Sequence, residues 1–164
     1  MDDGKQALWA TLKALTDLDG VSGAEQPVVR HLRDALAPLA DEVEVDALGN
    51  VFAIRRGGPG PRLMVSAHTD EIGAMVRSIE PEGFLRFMPL GGVLPALLVG
   101  RRVRVAGHLG VIGVKSGHLQ TAQERSAVLP PEALYIDVGA GDAAEVEAMG
   151  ITAGAPVTYY SPLE

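Results

Sequence analysis

Leu8, Leu12 and Leu15 recur at helical spacing, and so do Val28, Leu32, Ala35, Leu36 and Leu39, which predicts two amphipathic helices at the start of the chain. Between them, Ser22-Gly23-Ala24-Glu25 fits a capping box. In that reading Ser22 accepts from a backbone N–H of the first turn and Glu25 reaches back to the cap. Alternating segments at Glu42 to Asp46 and Val51 to Arg55 flank Leu48-Gly49-Asn50, whose Gly and Asn tolerate the backbone of a tight turn, so a hairpin is expected. Leu63-Met64-Val65-Ser66-Ala67 is an apolar run and reads as a buried strand. From Ala74 onward the texture changes to short β-rich segments separated by turn residues. They lie at Ala74 to Ile79, Phe84 to Met88, Arg101 to Ala106, Leu109 to Val114, Leu134 to Asp137 and Pro156 to Tyr160, a pattern that predicts a small barrel. One short helix near Ala143 to Met149 should end at Gly150. Ser116 to Arg125 is polar and reads as a loop. The change of texture puts a domain boundary near Gly73.

The chemistry concentrates where the apolar run ends, at His68-Thr69-Asp70-Glu71-Ile72-Gly73. Reactive groups in α/β proteins collect where strands end. On extended backbone His68 and Asp70 share one face, and Thr69 and Glu71 the other. Neutral imidazole binds zinc or cobalt through one ring nitrogen, and the other N–H needs an acceptor that fixes tautomer and orientation. Asp70 can supply that acceptor or bind metal itself. Glu71 faces away, which argues against a catalytic role. The competing reading of His68 is an ordinary satisfied histidine, since His-x-Asp recurs by chance. His31 sits among arginines in the second helix, while His108 and His118 each follow a glycine. All three are expected to be surface residues without a metal role. Gly57-Gly58-Pro59-Gly60-Pro61 lacks the Lys-Ser/Thr ending of a phosphate loop and is read as a connection.

Composition narrows the classes. A chain of 164 residues, 47% hydrophobic with a net charge of -7, can bury a core in one or two small domains. The negative balance argues against nucleic acid as a partner, because phosphates demand clustered Lys and Arg. With no cysteine, disulfides, thiolate zinc sites and a cysteine nucleophile are excluded, so any metal must use His, Asp or Glu. Met1 to Lys5 lacks a basic region leading into an apolar core, and no apolar stretch approaches membrane-spanning length. The expected compartment is the cytoplasm, with no membrane partner.

Several separate stretches carry a resemblance. They are Leu18-Asp19-Gly20-Val21-Ser22-Gly23-Ala24-Glu25, Val45-Asp46-Ala47-Leu48-Gly49-Asn50, the His68 to Gly73 string, Pro89-Leu90-Gly91-Gly92-Val93, Gly110-Val111-Ile112-Gly113, Leu134-Tyr135-Ile136-Asp137-Val138-Gly139-Ala140 and Gly150-Ile151. In order and spacing the set resembles the N-terminal part of the two-metal aminopeptidases, the family of glutamyl, deblocking and tetrahedral aminopeptidases. The resemblance implies an α/β fold: the N-terminal part of a mixed-sheet metallopeptidase catalytic domain (residues 1–73), then an inserted small β-barrel that helps subunits assemble (74–160). Residues 161–164 would begin the return to the catalytic domain. It further implies hydrolysis of N-terminal residues from peptides with two divalent metal ions, zinc or cobalt. His68 would be a metal ligand and Asp70 the catalytic-site carboxylate that holds the imidazole.

Family members continue into a second catalytic segment carrying the remaining ligands and the general base, so the chain alone is expected to be inactive. The resemblance also implies a homo-oligomer. A reading of another class is a non-catalytic binding or assembly module with the barrel as its working part. A third is a glycosidase, whose two carboxylates must face each other across a sugar about 5 to 10 Å apart; Asp70 and Glu71 are adjacent on opposite faces.

Overall fold

Leu134 and Ile136 are fully buried while Tyr135 and Asp137, which alternate with them, are not, the period-two burial of a strand that packs one face on a core. The same alternation appears in Val103 and Val105, in Leu85 and Phe87, and in Ala74 and Val76. The computed structural model describes residues 3–163; Met1, Asp2 and Glu164, the last of which belongs to the expected return segment, lie outside the described residues. The elements are α1 (Asp3–Thr16), α2 (Gln26–Leu36), β1 (Glu42–Val45), β2 (Val51–Ile54), β3 (Gly73–Ile79), β4 (Leu85–Leu90), β5 (Arg102–Val105), β6 (His108–Val114), α3 (Ala122–Ser126), β7 (Leu134–Asp137), α4 (Ala143–Ala148) and β8 (Pro156–Tyr159). Glu71–Ser161 forms one compact unit, and the rest of the described chain forms another.

All six β-rich segments beyond Ala74 become strands, and they close into an antiparallel barrel in the order β3-β4-β7-β6-β5-β8. Closure removes the unpaired edges that an open sheet of these strands would expose. Its interior is filled by one cluster that includes Leu85, Ile112, Leu134, Ile136 and Val157. α4 covers this core with Val146 and ends as expected: Gly150 takes φ +77°, its N–H reaches the Glu147 carbonyl at 2.9 Å, and the Ile151 N–H reaches that of Val146 at 3.3 Å. This is a Schellman ending, and the fully buried Val146 and Ile151 supply its apolar contact.

In the other unit β1 and β2 pair antiparallel from Glu42↔Ile54 to Val45↔Val51, the hairpin expected from the turn residues. Asp46 ties this turn. Its Oδ1 accepts from the Leu48 and Asn50 N–H groups, each at 2.9 Å, and its Oδ2 from the Asn50 side-chain amide at 2.7 Å. These bonds, led by the Asn50 side chain, hold the Asp46 carboxyl below the ordinary aspartate range. A depressed pKa favours the ionised folded form, so the support is intact above the unfolded value of about 3.9 and fades as pH falls through the lower folded value. In an NMR titration the Leu48 and Asn50 amides should shift together with a midpoint below about 3.9. A midpoint at or above that value would contradict the assignment.

Two expectations need correction here. Leu63 to Ala67 forms no strand and is not buried: Leu63, Met64 and Val65 are 90%, 85% and 87% exposed. An apolar run becomes a central strand only when neighbours pair with its backbone and cover its faces, and no strand among the described residues does so. α1 forms as expected, and among the described residues it leaves Leu8, Trp9 and Leu12 exposed. The polar loop from Ser116 contains the short helix α3, held by a capping box between Thr121 and Glu124. No helix among the described residues is long and apolar enough to cross a membrane.

Candidate functional site

Leu18 to Glu25 folds back against the stretch that carries His68. Gly20 lets this turn pack on α2: a Cβ there would lie 2.7 Å from Val28 Cγ2, while the Thr69 carbonyl oxygen, at 3.5 Å, would be in ordinary contact. Val21 is fully buried beside it, and its carbonyl accepts from the Ala24 N–H at 2.7 Å. The chain therefore turns sharply at Ser22. The capping box expected there does not form: α2 starts without a side-chain cap, and Glu25 Oε1 accepts from the Gly23 N–H at 2.8 Å. Ser22 is used elsewhere, donating from Oγ to Asp70 Oδ2 at 2.5 Å.

Asp70 uses its other oxygen on His68. The imidazole Nδ1 lies 3.0 Å from Asp70 Oδ1 and 3.0 Å from the Asp70 backbone carbonyl. A carboxylate and a carbonyl can only accept, so Nδ1 carries the proton and Nε2 carries the lone pair. The Ser22 hydroxyl first, and the His68 ring second, hold the Asp70 carboxyl below its usual range, which keeps it an acceptor at neutral pH. The His68 side chain is 86% exposed, leaving Nε2 open to an incoming cation. Both residues line a broad concavity of about 1920 Å³ with α2, the β1–β2 hairpin and residues 55–67. Exposed Leu48, Phe52, Leu63, Met64 and Val65 give its wall an apolar character.

Sequence pattern thus placed His68 and Asp70 correctly with respect to each other but missed Ser22. A Ser-x-x-Glu string carries a local signal for a cap and none for a partner 48 residues away. His118 is exposed as expected, whereas His31 and His108 are half-buried rather than on the surface. His108 opens β6, and its Nε2 lies 3.1 Å from the Met149 carbonyl at the end of α4, where helix carbonyls lack intrahelical partners. Its role there is to tie the helix end. Among the described residues no three His, Asp or Glu side chains converge to hold a metal ion. The donor set fits one ligand of such an ion, His68 Nε2, whereas a catalytic zinc site normally draws three from protein.

The sequence model of the M42 glutamyl aminopeptidase family matches residues 49–164. The chain belongs to that family. It is 40% identical over 152 residues to the lysyl aminopeptidase of Pyrococcus furiosus, a match that covers 89% of this chain and 44% of the relative. Among solved structures, the TET aminopeptidase of a marine-sediment Thaumarchaeota archaeon aligns with a TM-score of 0.88 at 38% identity, over 93% of this chain and 44% of that one. The TET1 peptidase of Pyrococcus horikoshii, described as assembling into a tetrahedron or a large octahedral shell, aligns with a TM-score of 0.78 at 32% identity. That alignment covers 90% of this chain and 45% of the other. The chain thus spans less than half the length of the relatives it matches.

Proposed function

We propose that this chain is the His68-bearing portion of a metal-dependent aminopeptidase that removes N-terminal residues from peptides. The observation that carries this reading is the anchored imidazole, with Nδ1 on Asp70 and Nε2 open, in a chain of the M42 family. Divalent metals, zinc or cobalt, lower the pKa of water and polarise the scissile carbonyl when bound in such a site. His68 contributes one ligand from Nε2, and Asp70 fixes the tautomer that makes this possible. One imidazole cannot hold a catalytic ion by itself, so the reaction requires further ligands from polypeptide equivalent to the rest of the relatives' length. The exposed apolar wall formed by Phe52 and Leu63 to Val65 supports the same view, because contiguous apolar surface of this kind is normally covered.

Within this reading residues 1–73 belong to the catalytic domain, residues 74–160 form a barrel inserted in it, and residues 161–164 start the return. The barrel serves self-association, as the assembling TET1 relative suggests. The test uses the 164-residue chain alone. It should release no amino acid from peptides with zinc or cobalt supplied, and it should retain far less than one equivalent of zinc after dialysis. Hydrolysis that disappears in His68→Ala, or near-stoichiometric tightly held zinc, would overturn the single-ligand assignment. A monomer at every concentration in analytical ultracentrifugation would remove the barrel's role in association.

A further inference from the structure

Asp70 is pinned from two sides, and only one of its partners is explained by a metal site. Its Oδ1 meets the imidazole, while its Oδ2 receives the Ser22 hydroxyl from the Leu18–Glu25 turn. That turn is itself built for close approach: Gly20 sits where a Cβ would collide with Val28, Val21 is fully buried, and Glu25 holds the Gly23 N–H. Ser22 is therefore presented to Asp70 by a packed support.

We propose that Ser22 is a positioning residue for the metal-binding imidazole: its hydroxyl fixes the Asp70 carboxylate in the rotamer whose Oδ1 takes the His68 Nδ1 proton. The proposal rests on the reading of His68 as a metal ligand. An aspartate held at one oxygen can rotate about its side-chain bonds, and each rotation breaks the contact with the ring. Holding the second oxygen removes that freedom. Without Ser22, the His68 Nδ1–H keeps only the Asp70 backbone carbonyl, a neutral acceptor weaker than a carboxylate. The ring then samples both tautomers and more than one orientation. The pre-set lone pair on Nε2 is lost for part of the population. Outer partners of ligating histidines typically contribute about 10 to 100-fold in metal affinity, and Ser22, acting through Asp70, should fall near the lower end of about 10-fold.

The test is ¹⁵N NMR of histidine-labelled chain in mildly alkaline buffer, where the two ring nitrogens of His68 report which of them carries the proton. The unmutated chain should show His68 as a single Nδ1–H tautomer. Ser22→Ala should move it to a mixture, and Ser22→Thr, which keeps the hydroxyl, should restore it. In a preparation completed with the remaining polypeptide, Ser22→Ala should raise the zinc concentration needed for half-maximal activity about 10-fold, with kcat near normal at saturating zinc. A lowered Tm with an unchanged tautomer ratio would assign Ser22 a merely structural role and overturn the proposal. An Nε2–H majority in the unmutated chain would overturn it whether or not the variants fold. The metal reading fails by a different sign: His68→Ala with unchanged activity, whatever the tautomer does.

Discussion

Under the proposed function, His68→Ala in a chain extended to the length of its relatives should abolish peptide hydrolysis while leaving the fold intact. The side chain is 86% exposed and, among the described residues, its hydrogen bonds run to Asp70, so truncation removes little packing. Surface substitutions of this kind usually change stability by no more than about 0.5 kcal/mol. The functional cost is of another order. Removing a partner that merely orients a ligand costs about 10 to 100-fold, and removing the ligand itself should exceed that range. Asp70→Asn separates the two roles: its amide oxygen still accepts from Nδ1, without the charge that strengthens the bond, so its loss should stay within about 10 to 100-fold. Steady-state kinetics at increasing zinc, with circular dichroism on each variant, would decide. A His68→Ala enzyme within twofold of the parent would end the metal assignment. An unfolded His68→Ala would contradict the exposure on which the argument depends.

The barrel was legible because each of its strands carries its own instruction. Leu134 and Ile136, or Val103 and Val105, alternate with residues facing outward, and the turns between strands use residues that break the pattern. The ending of α4 was legible for a similar reason, since Gly150 and the apolar Ile151 lie within five residues of the carbonyls they serve. Leu63 to Ala67 shows where such reading stops. Its apolar run records a demand for burial, but burial is a property of two surfaces, and among the described residues the second is absent. Ser22 fails differently: it satisfies a local motif on paper, yet its hydroxyl donates to a carboxylate 48 residues away, a charged acceptor that no local string announces. His68 and Asp70 were recoverable as neighbours because they lie only two residues apart, and the imidazole does meet the carboxylate at 3.0 Å. What joins them to Ser22 is a hydrogen bond across 48 residues of sequence.

Ile136→Ala should be the most destabilising single truncation in the barrel. Ile136 is fully buried on β7 and pairs with Leu85 of β4 on one side and Ile112 of β6 on the other, both also in the core. It therefore spans three neighbouring strands, and none of them can move into the vacated space without breaking register with the next. In a closed barrel, collapse around a cavity is limited by the ring of hydrogen bonds itself. The loss should lie in the upper part of the usual range of about 2 to 5 kcal/mol for such truncations. A domain of this size loses about 4 to 8 °C of Tm per kcal/mol, so a fall of well over about 10 °C is expected. Ile136→Val, which removes one methylene, should cost only about 0.5 to 1.5 kcal/mol, and Leu109→Ala on the exposed side of β6 about 0.5 kcal/mol or less. If thermal denaturation placed Ile136→Ala level with Leu109→Ala, the register that puts Ile136 between Leu85 and Ile112 would be wrong. The barrel would then have to close with a different set of side chains inside.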